Sequence, residues 1–348
     1  MYLTHTPPHQ LTSGTNHHAF TSCAFFKETW YVAWRTAETH WPTPPGHITI
    51  TRTTHRLHDT PWAHATTLEL SDTDADLRDP KLVATDDTLY CILGAYLPKY
   101  PQTTLSNRSS ENLIQSFVSY THNGLSWAPL TPIGRPNYWI WSVLPLQKFW
   151  VAAAYHTGLP GEPSSVVLLT GTSLLTLLPS TTIYDGANLT KEDRNYRYPH
   201  ATVSEPILYQ PGPNLLACAL RSEDGDKCME LGISSYPYQN WRWWHTKEII
   251  HPSSIVSTPH GHLLAGRELY KRGNQWYAAT SIYALDAQVP TKLLRLPSAF
   301  DTGYAGLCQG FKEDEYIVSF YSQHKTPTPY KTPLPGAHVF VATITVSE

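Results

Sequence analysis

The stretch Asp301-Thr-Gly-Tyr304-Ala-Gly-Leu307 places a tyrosine between two glycines, just ahead of an apolar run from Phe311 to Phe320. Similar passages recur along the chain. Each has a short polar or proline-containing opening, a strand-like run, a turn, and a second strand with a charged residue at its end. They begin near the following positions: His18, Asp79, Tyr138, Glu205, Ser254 and Tyr304. This recurrence predicts six similar units whose openings face one shared funnel.

The composition favours β-strands over helices. The chain has 12 Trp, 21 Tyr and 9 Phe but only 2 Met, and ring side chains pack well on a pleated surface. Prolines and glycines, 29 and 19 of them, separate short apolar runs, as is typical of many short strands and turns. Dividing 348 residues among six units leaves about 58 residues for each, enough for three or four strands. We therefore predict an all-β, six-bladed β-propeller of four-stranded antiparallel blades, forming a single domain over residues 1–348.

Charge and hydropathy exclude several classes of partner. The net charge is −3 and the 25 basic residues are dispersed, so no electrostatic footprint for nucleic acid is present. No apolar stretch is long enough for a membrane span, and residues 1–20 lack the features of a signal peptide. We expect a neutral or weakly charged ligand and a cytoplasmic location, unless a leader precedes this chain. The oligomeric state is left open.

The cysteines and histidines indicate no cofactor and no metal. The five cysteines are odd in number and form no C-x-x-C pair, which predicts buried free thiols; the alternative is a disulfide between Cys218 and Cys228 across a hairpin. No zinc spacing and no phosphate-binding glycine loop is present.

Three arginines hold equivalent places in their units. Arg35, Arg221 and Arg267 are each expected just after the second strand of a unit. Either they face the funnel and bind a ligand, or they pair with acidic neighbours at its rim.

These residues resemble the sialidase (neuraminidase) superfamily, six-bladed propellers with BNR or Asp-box repeats, and most closely its bacterial sialidase-like proteins. The matching segments run in order along nearly the whole chain: His18-Ala-Phe-Thr21, Trp30-Tyr-Val-Ala-Trp-Arg35, Asp76 to Leu82, Tyr138-Trp-Ile-Trp141, Glu205, Arg221 and Asp301-Thr-Gly-Tyr304. The segment from Tyr120 to Trp127 keeps the Gly, hydroxyl and Trp of an Asp-box but has His122 in place of the aspartate. The resemblance implies a carbohydrate ligand in the funnel.

The resemblance also implies catalytic roles for two residues, the nucleophile and its base. In sialidases a tyrosine attacks the anomeric carbon and a glutamate accepts its proton, which implies Tyr304 as nucleophile and Glu205 as its base. A phenol has a reference pKa of about 10 and needs such a carboxylate beside it to react. Sialidases also hold the substrate carboxylate with three arginines, two of which match Arg221 and Arg267.

The first arginine of that triad has no match. Where sialidases have Arg-Ile-Pro, this chain has His17-His18-Ala-Phe, and imidazole cannot reproduce the bidentate hydrogen bonds of a guanidinium. Sialic acid is therefore not the expected substrate unless Arg35 or Arg78 replaces the missing group. His18 and Trp141 remain candidate sugar-binding residues at the funnel.

The acid/base residue has three candidates. Asp79 is the first choice, because its motif is the sharpest in the chain, and Glu38 and His40 lie in the blade-one loop where the sialidase aspartate belongs. We expect an exo-acting glycoside hydrolase with a sialidase-like Tyr/Glu mechanism and altered glycan specificity, acting on a glycan or small acidic sugar. The alternatives are a non-catalytic carbohydrate-binding or interaction propeller, and an acid/base lyase that uses His18, His40 or Asp79.

Overall fold

The computed structural model describes residues 1–42, 44–54, 62–69, 74–98, 112–156, 164–186, 202–223, 225–286, 289–324 and 336–347. Within these ranges β-strand is the dominant secondary structure, and the one helical element is a 3₁₀ turn at Leu174–Thr176. The strands form six antiparallel sheets that follow one another along the chain. The prediction of an all-β, six-bladed propeller is confirmed.

Two short strands precede the first blade, β1 (Tyr2–His5) and β2 (His9–Gln10). The strands of blades 1 to 3 run in order from the axis outward: blade 1, β3 (His17–Phe26), β4 (Thr29–Ala37), β5 (His47–Thr53), β6 (Ala63–Leu68); blade 2, β7 (Asp76–Ala84), β8 (Leu89–Pro98), β9 (Asn112–Thr121), β10 (Thr131–Ile133); blade 3, β11 (Tyr138–Pro145), β12 (Trp150–His156), β13 (Ser165–Gly171), β14 (Leu178–Asp185).

Blades 4 to 6 repeat the same order: blade 4, β15 (Val203–Gly212), β16 (Leu215–Ser222), β17 (Glu230–Ser235), β18 (Arg242–His245); blade 5, β19 (Ile250–Thr258), β20 (Gly261–Arg272), β21 (Gln275–Asp286), β22 (Val289–Arg295); blade 6, β23 (Thr302–Gln309), β24 (Glu315–Ser322), β25 (His338–Ser347). The first strand of each blade contacts the first strands of both neighbouring blades, so these six strands enclose the axis.

The ring is closed by the N-terminus. Strand β1 pairs antiparallel with β25, with Tyr2 opposite Ser347 and His5 opposite Ile344, and so supplies the outer strand of blade 6. The sequence analysis did not anticipate this pairing. A sheet between the two ends of the chain holds the first and last blades together, because the ring cannot open without breaking its hydrogen bonds.

Hydroxyl groups join the innermost strands of neighbouring blades. Ser22 Oγ accepts a hydrogen bond from the Leu82 amide at 2.9 Å, which links blades 1 and 2. The same contact joins blades 3 and 4 through Ser142 and the Leu208 amide, and blades 5 and 6 through Ser254 and the Leu307 amide. These bonds satisfy buried amides that have no strand partner on the axial side.

Apolar cores lie between adjacent blades. Between blades 1 and 2, Ile48 and Ile50 pack with Leu77, Leu89 and Cys91, all of them 0 or 1 % exposed. Each such aliphatic side chain contributes about 1.5–3 kcal/mol through removal from water. All five cysteines are buried and free, as predicted. Among the described residues no helix has the length and apolarity that a membrane crossing needs.

The segment that resembles an Asp-box forms a capped turn without an aspartate. Thr121 Oγ1 accepts from the Gly124 amide at 2.9 Å, and Asn123 Oδ1 accepts from the amides of Leu125 and Ser126, each at 2.9 Å. His122 instead meets the Thr88 hydroxyl at 3.0 Å. The amides of the turn are therefore capped by neighbouring polar side chains.

Candidate active site

Four residues at matching places in the innermost strands converge at one end of the axis. In each of these strands a β-bulge leaves two residues unpaired with the second strand of the blade. The first of the two is the following residue in each strand: Phe20, Asp79, Glu205 and Tyr304. All four have a left-handed backbone, with φ of 61°, 54°, 55° and 43°. Side chains other than glycine rarely adopt this conformation, and such strain concentrates at functional sites. The bulge re-aims these four side chains toward the axis. We call the space that they border the funnel.

Tyr304 and Glu205 meet in the funnel although they are far apart in sequence. The Tyr304 hydroxyl donates to Glu205 Oε1 at 2.6 Å. Arg221 Nη1 donates to the same carboxylate oxygen at 2.6 Å and to the Tyr304 hydroxyl oxygen at 3.1 Å. The other carboxylate oxygen, Glu205 Oε2, is buried without a hydrogen-bond partner among the described residues. A phenol, a carboxylate and a guanidinium thus form one hydrogen-bonded group, in which Glu205 Oε2 can still accept a hydrogen bond.

Burial changes the proton affinities of two funnel residues. It raises the pKa of the Tyr304 phenol well above its ordinary value; the Glu205 carboxylate raises it further, and Arg221 and Arg267 oppose the rise. Burial also raises the pKa of the Asp79 carboxyl to about 6, against the opposing effect of the Arg78 and Lys81 cations. A carboxyl group with this pKa retains its proton over a useful pH range, as a general acid must.

A second polar group lies beside the first. Arg267 Nε donates to the carbonyl oxygen of Thr302, and its Nη2 donates to the Tyr321 hydroxyl at 3.0 Å. Tyr321 in turn donates to Asp301 Oδ1 at 2.7 Å. The Arg267 guanidinium also lies 5.3 Å from the centre of the Tyr304 ring, within the range of a cation–π contact. These bonds hold Arg267 beside the phenol.

Two histidines complete this group. His17 Nε2 and His40 Nδ1 both contact Asp301 Oδ2, each at 2.8 Å. Burial alone would raise the pKa of Asp301, but the hydrogen bonds from the two imidazoles hold it well below its usual range. Both rings therefore donate to an ionised carboxylate, and His40, which is partly exposed, borders the funnel against the Phe20 ring.

Geometry alone would allow a metal ion among His17, His40 and Asp301. The groups around these three residues disfavour a metal ion. The second ring nitrogen of His17 is buried without a hydrogen-bond partner among the described residues, whereas metal-bound histidines nearly always have one there. Arg267 also places a positive charge 3.6 Å from Asp301. A hydrogen-bonded carboxylate fits these residues better than a cation site.

Arg35 is a structural residue of blade 1. It is 0 % exposed, and its Nε and Nη2 donate to Asp76 Oδ1 at 2.9 and 2.6 Å. Arg78 binds the other oxygen of Asp76 at 2.8 Å and extends over the rings of Phe20 and Tyr96. Of these two arginines, Arg78 is therefore the one that reaches the funnel.

Aromatic rings and one lysine continue the site along the axis. Trp141 lies 5.7 Å from Tyr304 between ring centres, and its indole nitrogen is buried without a hydrogen-bond partner among the described residues. The Lys81 ammonium lies 4.5 Å from the centre of the Trp141 ring. Both residues line an axial cavity of about 170 Å³ to which all six innermost strands contribute.

The structure brings together most of the residues that the sequence analysis singled out. Tyr304, Glu205 and Arg221 are in direct contact, and Arg267 packs on the Tyr304 ring. The predicted equivalence of the three arginines is confirmed. In the second strand of its blade, each arginine lies two residues after the residue at which pairing with the first strand resumes beyond the bulge. Their predicted position past the second strand is wrong, because Arg35, Arg221 and Arg267 lie within β4, β16 and β20.

Three other candidates lie elsewhere. Arg35 faces Asp76, Glu38 is exposed to solvent, and His18 bonds to Thr36 on the opposite face of β3 from His17. Sequence reasoning missed the following site residues: His17, Phe20, Lys81, Asp301 and Tyr321. The alternation of strand side chains contained part of this information, because His18 and His17 cannot face the same side.

Comparison with solved structures agrees on the fold. The chain superposes on a protein of unknown function from Dyadobacter fermentans with a TM-score of 0.76 and 14 % identity, covering 99 % of both chains. It matches a Trypanosoma rangeli sialidase in complex with the inhibitor DANA with a TM-score of 0.66 and 10 % identity, over 98 % of this chain and 59 % of that one.

An α-L-arabinofuranosidase mutant from Fusarium graminearum, in complex with an iminosugar inhibitor, matches with a TM-score of 0.66 and 11 % identity over 98 % of both chains. No protein-family model and no curated protein sequence matches the chain. These similarities show a sialidase-like β-propeller fold, which neighbours with different glycosidase activities share.

Proposed function

We propose that the protein is a glycoside hydrolase in which Tyr304 is the nucleophile and Glu205 is its base. The observation that carries this proposal is the 2.6 Å hydrogen bond from the Tyr304 hydroxyl to Glu205 at the base of the funnel. The phenol of Tyr304 is reluctant to ionise because its pKa is raised well above its ordinary value by burial. Attack therefore requires that Glu205 accept the proton as the new bond forms.

The first step forms a bond between Tyr304 Oη and the anomeric carbon and breaks the bond from that carbon to the leaving oxygen. Asp79 donates a proton to the leaving oxygen, and Glu205 holds the proton from Tyr304. In the second step water attacks the same carbon and gives a proton to Asp79, and Glu205 returns its proton to Tyr304. Two inversions at one carbon give net retention of configuration.

Arg221 stabilises the charge that develops in this reaction. Its Nη1 lies 3.1 Å from the Tyr304 hydroxyl oxygen and 2.6 Å from Glu205. A cation in this position lowers the energy of phenolate character when the tyrosine is displaced from the sugar. Arg221 is also paired with Glu223 through Nη2 at 3.0 Å. Its position is therefore fixed before any ligand binds.

The substrate is proposed to be the terminal sugar of a glycan. The residues that border the funnel come from the innermost strands of four blades and surround one axis, which suits a chain end better than the interior of a chain. Arg78 and Lys81 supply positive charge at the funnel, whereas Trp141 is only 2 % exposed and its ring is covered by the Lys81 ammonium, so it supports the site rather than stacking on a sugar. Carboxylates balance much of that charge, since Arg78 is paired with Asp76 and Arg221 with Glu205. Neutral sugars and uronic acids are therefore both reasonable substrates.

The function is tested with a panel of aryl glycosides that includes arabinofuranosides, uronic acids and sialic acid. Tyr304→Phe is compared with Tyr277→Phe, a tyrosine that bonds to Gln275 in blade 5 away from the funnel. We expect turnover of at least one sugar by the unmodified protein and by Tyr277→Phe, and loss of about 10³-fold or more in Tyr304→Phe.

Unchanged turnover in Tyr304→Phe would exclude the tyrosine mechanism. A complete absence of turnover over the panel, together with binding on a glycan array, would instead indicate a carbohydrate-binding propeller. Sugar binding without catalysis would then account for Glu205 Oε2, which has no hydrogen-bond partner among the described residues.

A further inference from the structure

A cluster of three metal-binding side chains lies in blade 4, outside the funnel. It consists of Asp226, Cys228 and His245, whose ligand atoms all lie within 4.8 Å of one another. Asp226 and Cys228 belong to the connection from β16 to β17, and His245 is the last residue of β18. This cluster is independent of the catalytic groups described above.

The backbone directs these three side chains toward one point. Gly225 and Lys227 have φ of 58° and 60°, which folds the connection tightly around Asp226. The Cys228 amide donates to Asp226 Oδ1 at 3.0 Å, so the other oxygen, Oδ2, faces His245 Nε2 at 2.8 Å. The connection thus presents a carboxylate and a thiol to one imidazole.

A buried carboxylate orients the imidazole from behind. Glu230, which is 1 % exposed, lies directly opposite His245 in the pairing of β17 with β18. Its Oε1 is 3.2 Å from His245 Nδ1. A metal-bound histidine almost always donates its second N–H to such a carboxylate, which fixes the ring and makes the other nitrogen a better ligand. In the cluster of His17, His40 and Asp301, the second nitrogen of His17 has no such partner among the described residues.

We propose that Asp226, Cys228 and His245 form a zinc site, with Glu230 as the residue that orients His245. Thiolate, imidazole and carboxylate are the ligands that Zn²⁺ prefers, at about 2.0–2.3 Å from the ion. Tetrahedral binding at these lengths requires the ligand atoms to lie about 3–4 Å apart, so they need only small movements to close on an ion. The side chain of Asp226 is 48 % exposed, which leaves water access to the fourth position.

The competing interpretation is an ion pair between a protonated His245 and its two carboxylates. In that interpretation the buried Cys228 thiol only donates to the carbonyl oxygen of Asp226 at 3.8 Å and has no contact that the ion pair requires. The thiol therefore distinguishes a metal site from an ion pair, because only a metal site requires its sulfur as a ligand.

Zinc at this point would stiffen the connection from β16 to β17. The same connection carries Glu223, whose carboxylate lies 3.0 Å from Arg221 Nη2. The site would then support the position of Arg221 without contacting any sugar. The zinc proposal does not depend on the proposed hydrolase activity, since metal binding is measured without a substrate.

The experiment measures Zn²⁺ binding by titration calorimetry on the full chain after treatment with a chelator. Co²⁺ serves as a spectroscopic probe, because a sulfur-to-cobalt charge-transfer band appears only when a thiolate is a ligand. The variants are Cys228→Ser, Asp226→Asn and Glu230→Gln. The control is His47→Asn, a surface histidine 4.0 Å from Glu69.

We expect one equivalent of Zn²⁺ bound by the unmodified protein and by His47→Asn, and no measurable equivalent in Cys228→Ser. Glu230→Gln should bind about 10–100-fold more weakly. The unfolding temperature should rise with zinc concentration only in the proteins that bind the ion.

Absence of zinc binding by the unmodified protein would overturn the proposal, and so would equal affinity in Cys228→Ser or a cobalt spectrum without the sulfur band. If Cys228→Ser does not fold, Asp226→Asn decides the question, because its side chain is half exposed and its replacement is conservative. Unchanged zinc affinity in that variant would equally refute the site.

Discussion

The buried pair between Arg35 and Asp76 gives the sharpest stability prediction. Arg35→Met keeps the apolar part of the side chain but removes the guanidinium and all its hydrogen bonds. The guanidinium donates to Asp76 twice, and to the carbonyl oxygens of Thr39 and Trp41 at 2.9 and 2.8 Å. Both members of the pair are buried, with side chains 0 and 1 % exposed. The substitution leaves a carboxylate and two carbonyl groups with fewer partners.

The expected loss of stability is about 3–5 kcal/mol, the usual cost of removing one partner from a buried ion pair. The value belongs at the lower end of that range, because Asp76 keeps its contact with Arg78 at 2.8 Å and a hydrogen bond from the Gly46 amide at 2.7 Å. Urea unfolding, followed by tryptophan fluorescence, measures the free energy of unfolding and the m-value together.

The matched control is Arg272→Met, an exposed arginine in blade 5, for which a change below about 0.5 kcal/mol is expected. A loss below about 1 kcal/mol in Arg35→Met, at an unchanged m-value, would refute the structural role. Arg35 would then have to be reconsidered as a residue that a ligand can recruit.

Three other substitutions test separate parts of the site. Asp79→Asn should remove the alkaline limb of the pH–rate profile near pH 6. The general acid must be protonated to act, and burial raises the pKa of Asp79 to about 6. An alkaline limb that persists would assign the acid to another group, such as His40. Asp301→Asn should destabilise the protein at pH 7, and progressively less below about pH 4. The pKa of Asp301 is lower in the folded than in the unfolded protein, so the stability that its carboxylate contributes is lost as the pH falls through the folded-state pKa. A difference in urea midpoint that is constant with pH would contradict this. Gly303→Ala should lower the free energy of unfolding by more than about 1 kcal/mol and displace Arg267. Gly303 has φ of 125°, and an added Cβ would lie 2.9 Å from Arg267 Cβ. Unaltered stability and activity would contradict this prediction.

The sequence predicted the propeller because its information is local and repeated. The six openings lie in the first strands of the six blades, as the repeat predicted: His18, Asp79, Tyr138, Glu205, Ser254 and Tyr304. The outer strands β14 and β22 have no clear sequence signal, because they are largely exposed and have no continuous apolar run. Strand β1 was missed because its partner is at the other end of the chain, and no local signal marks such a pair.

The site was predictable only where one residue type is chemically unusual. The resemblance selected Tyr304 and Glu205 for proposed roles, and the structure puts them in contact. Nothing in the sequence distinguishes the buried Arg35 from the funnel residue Arg221, since both occupy the same position in their strands. What separates them is the acidic partner. Arg35 pairs with Asp76 of the next blade, which depends on blade-to-blade geometry, whereas Arg221 pairs with Glu205 on the neighbouring strand of its own blade.

The central claim is that Tyr304 forms a covalent bond with the sugar. An activated 2-fluoro glycoside of whichever sugar is turned over slows the second step more than the first, so that the intermediate accumulates. Peptide mapping by mass spectrometry then locates the adduct. The account predicts one sugar on the peptide that contains Tyr304. An adduct on Asp79 or Glu205, or continued turnover with no adduct, would contradict it.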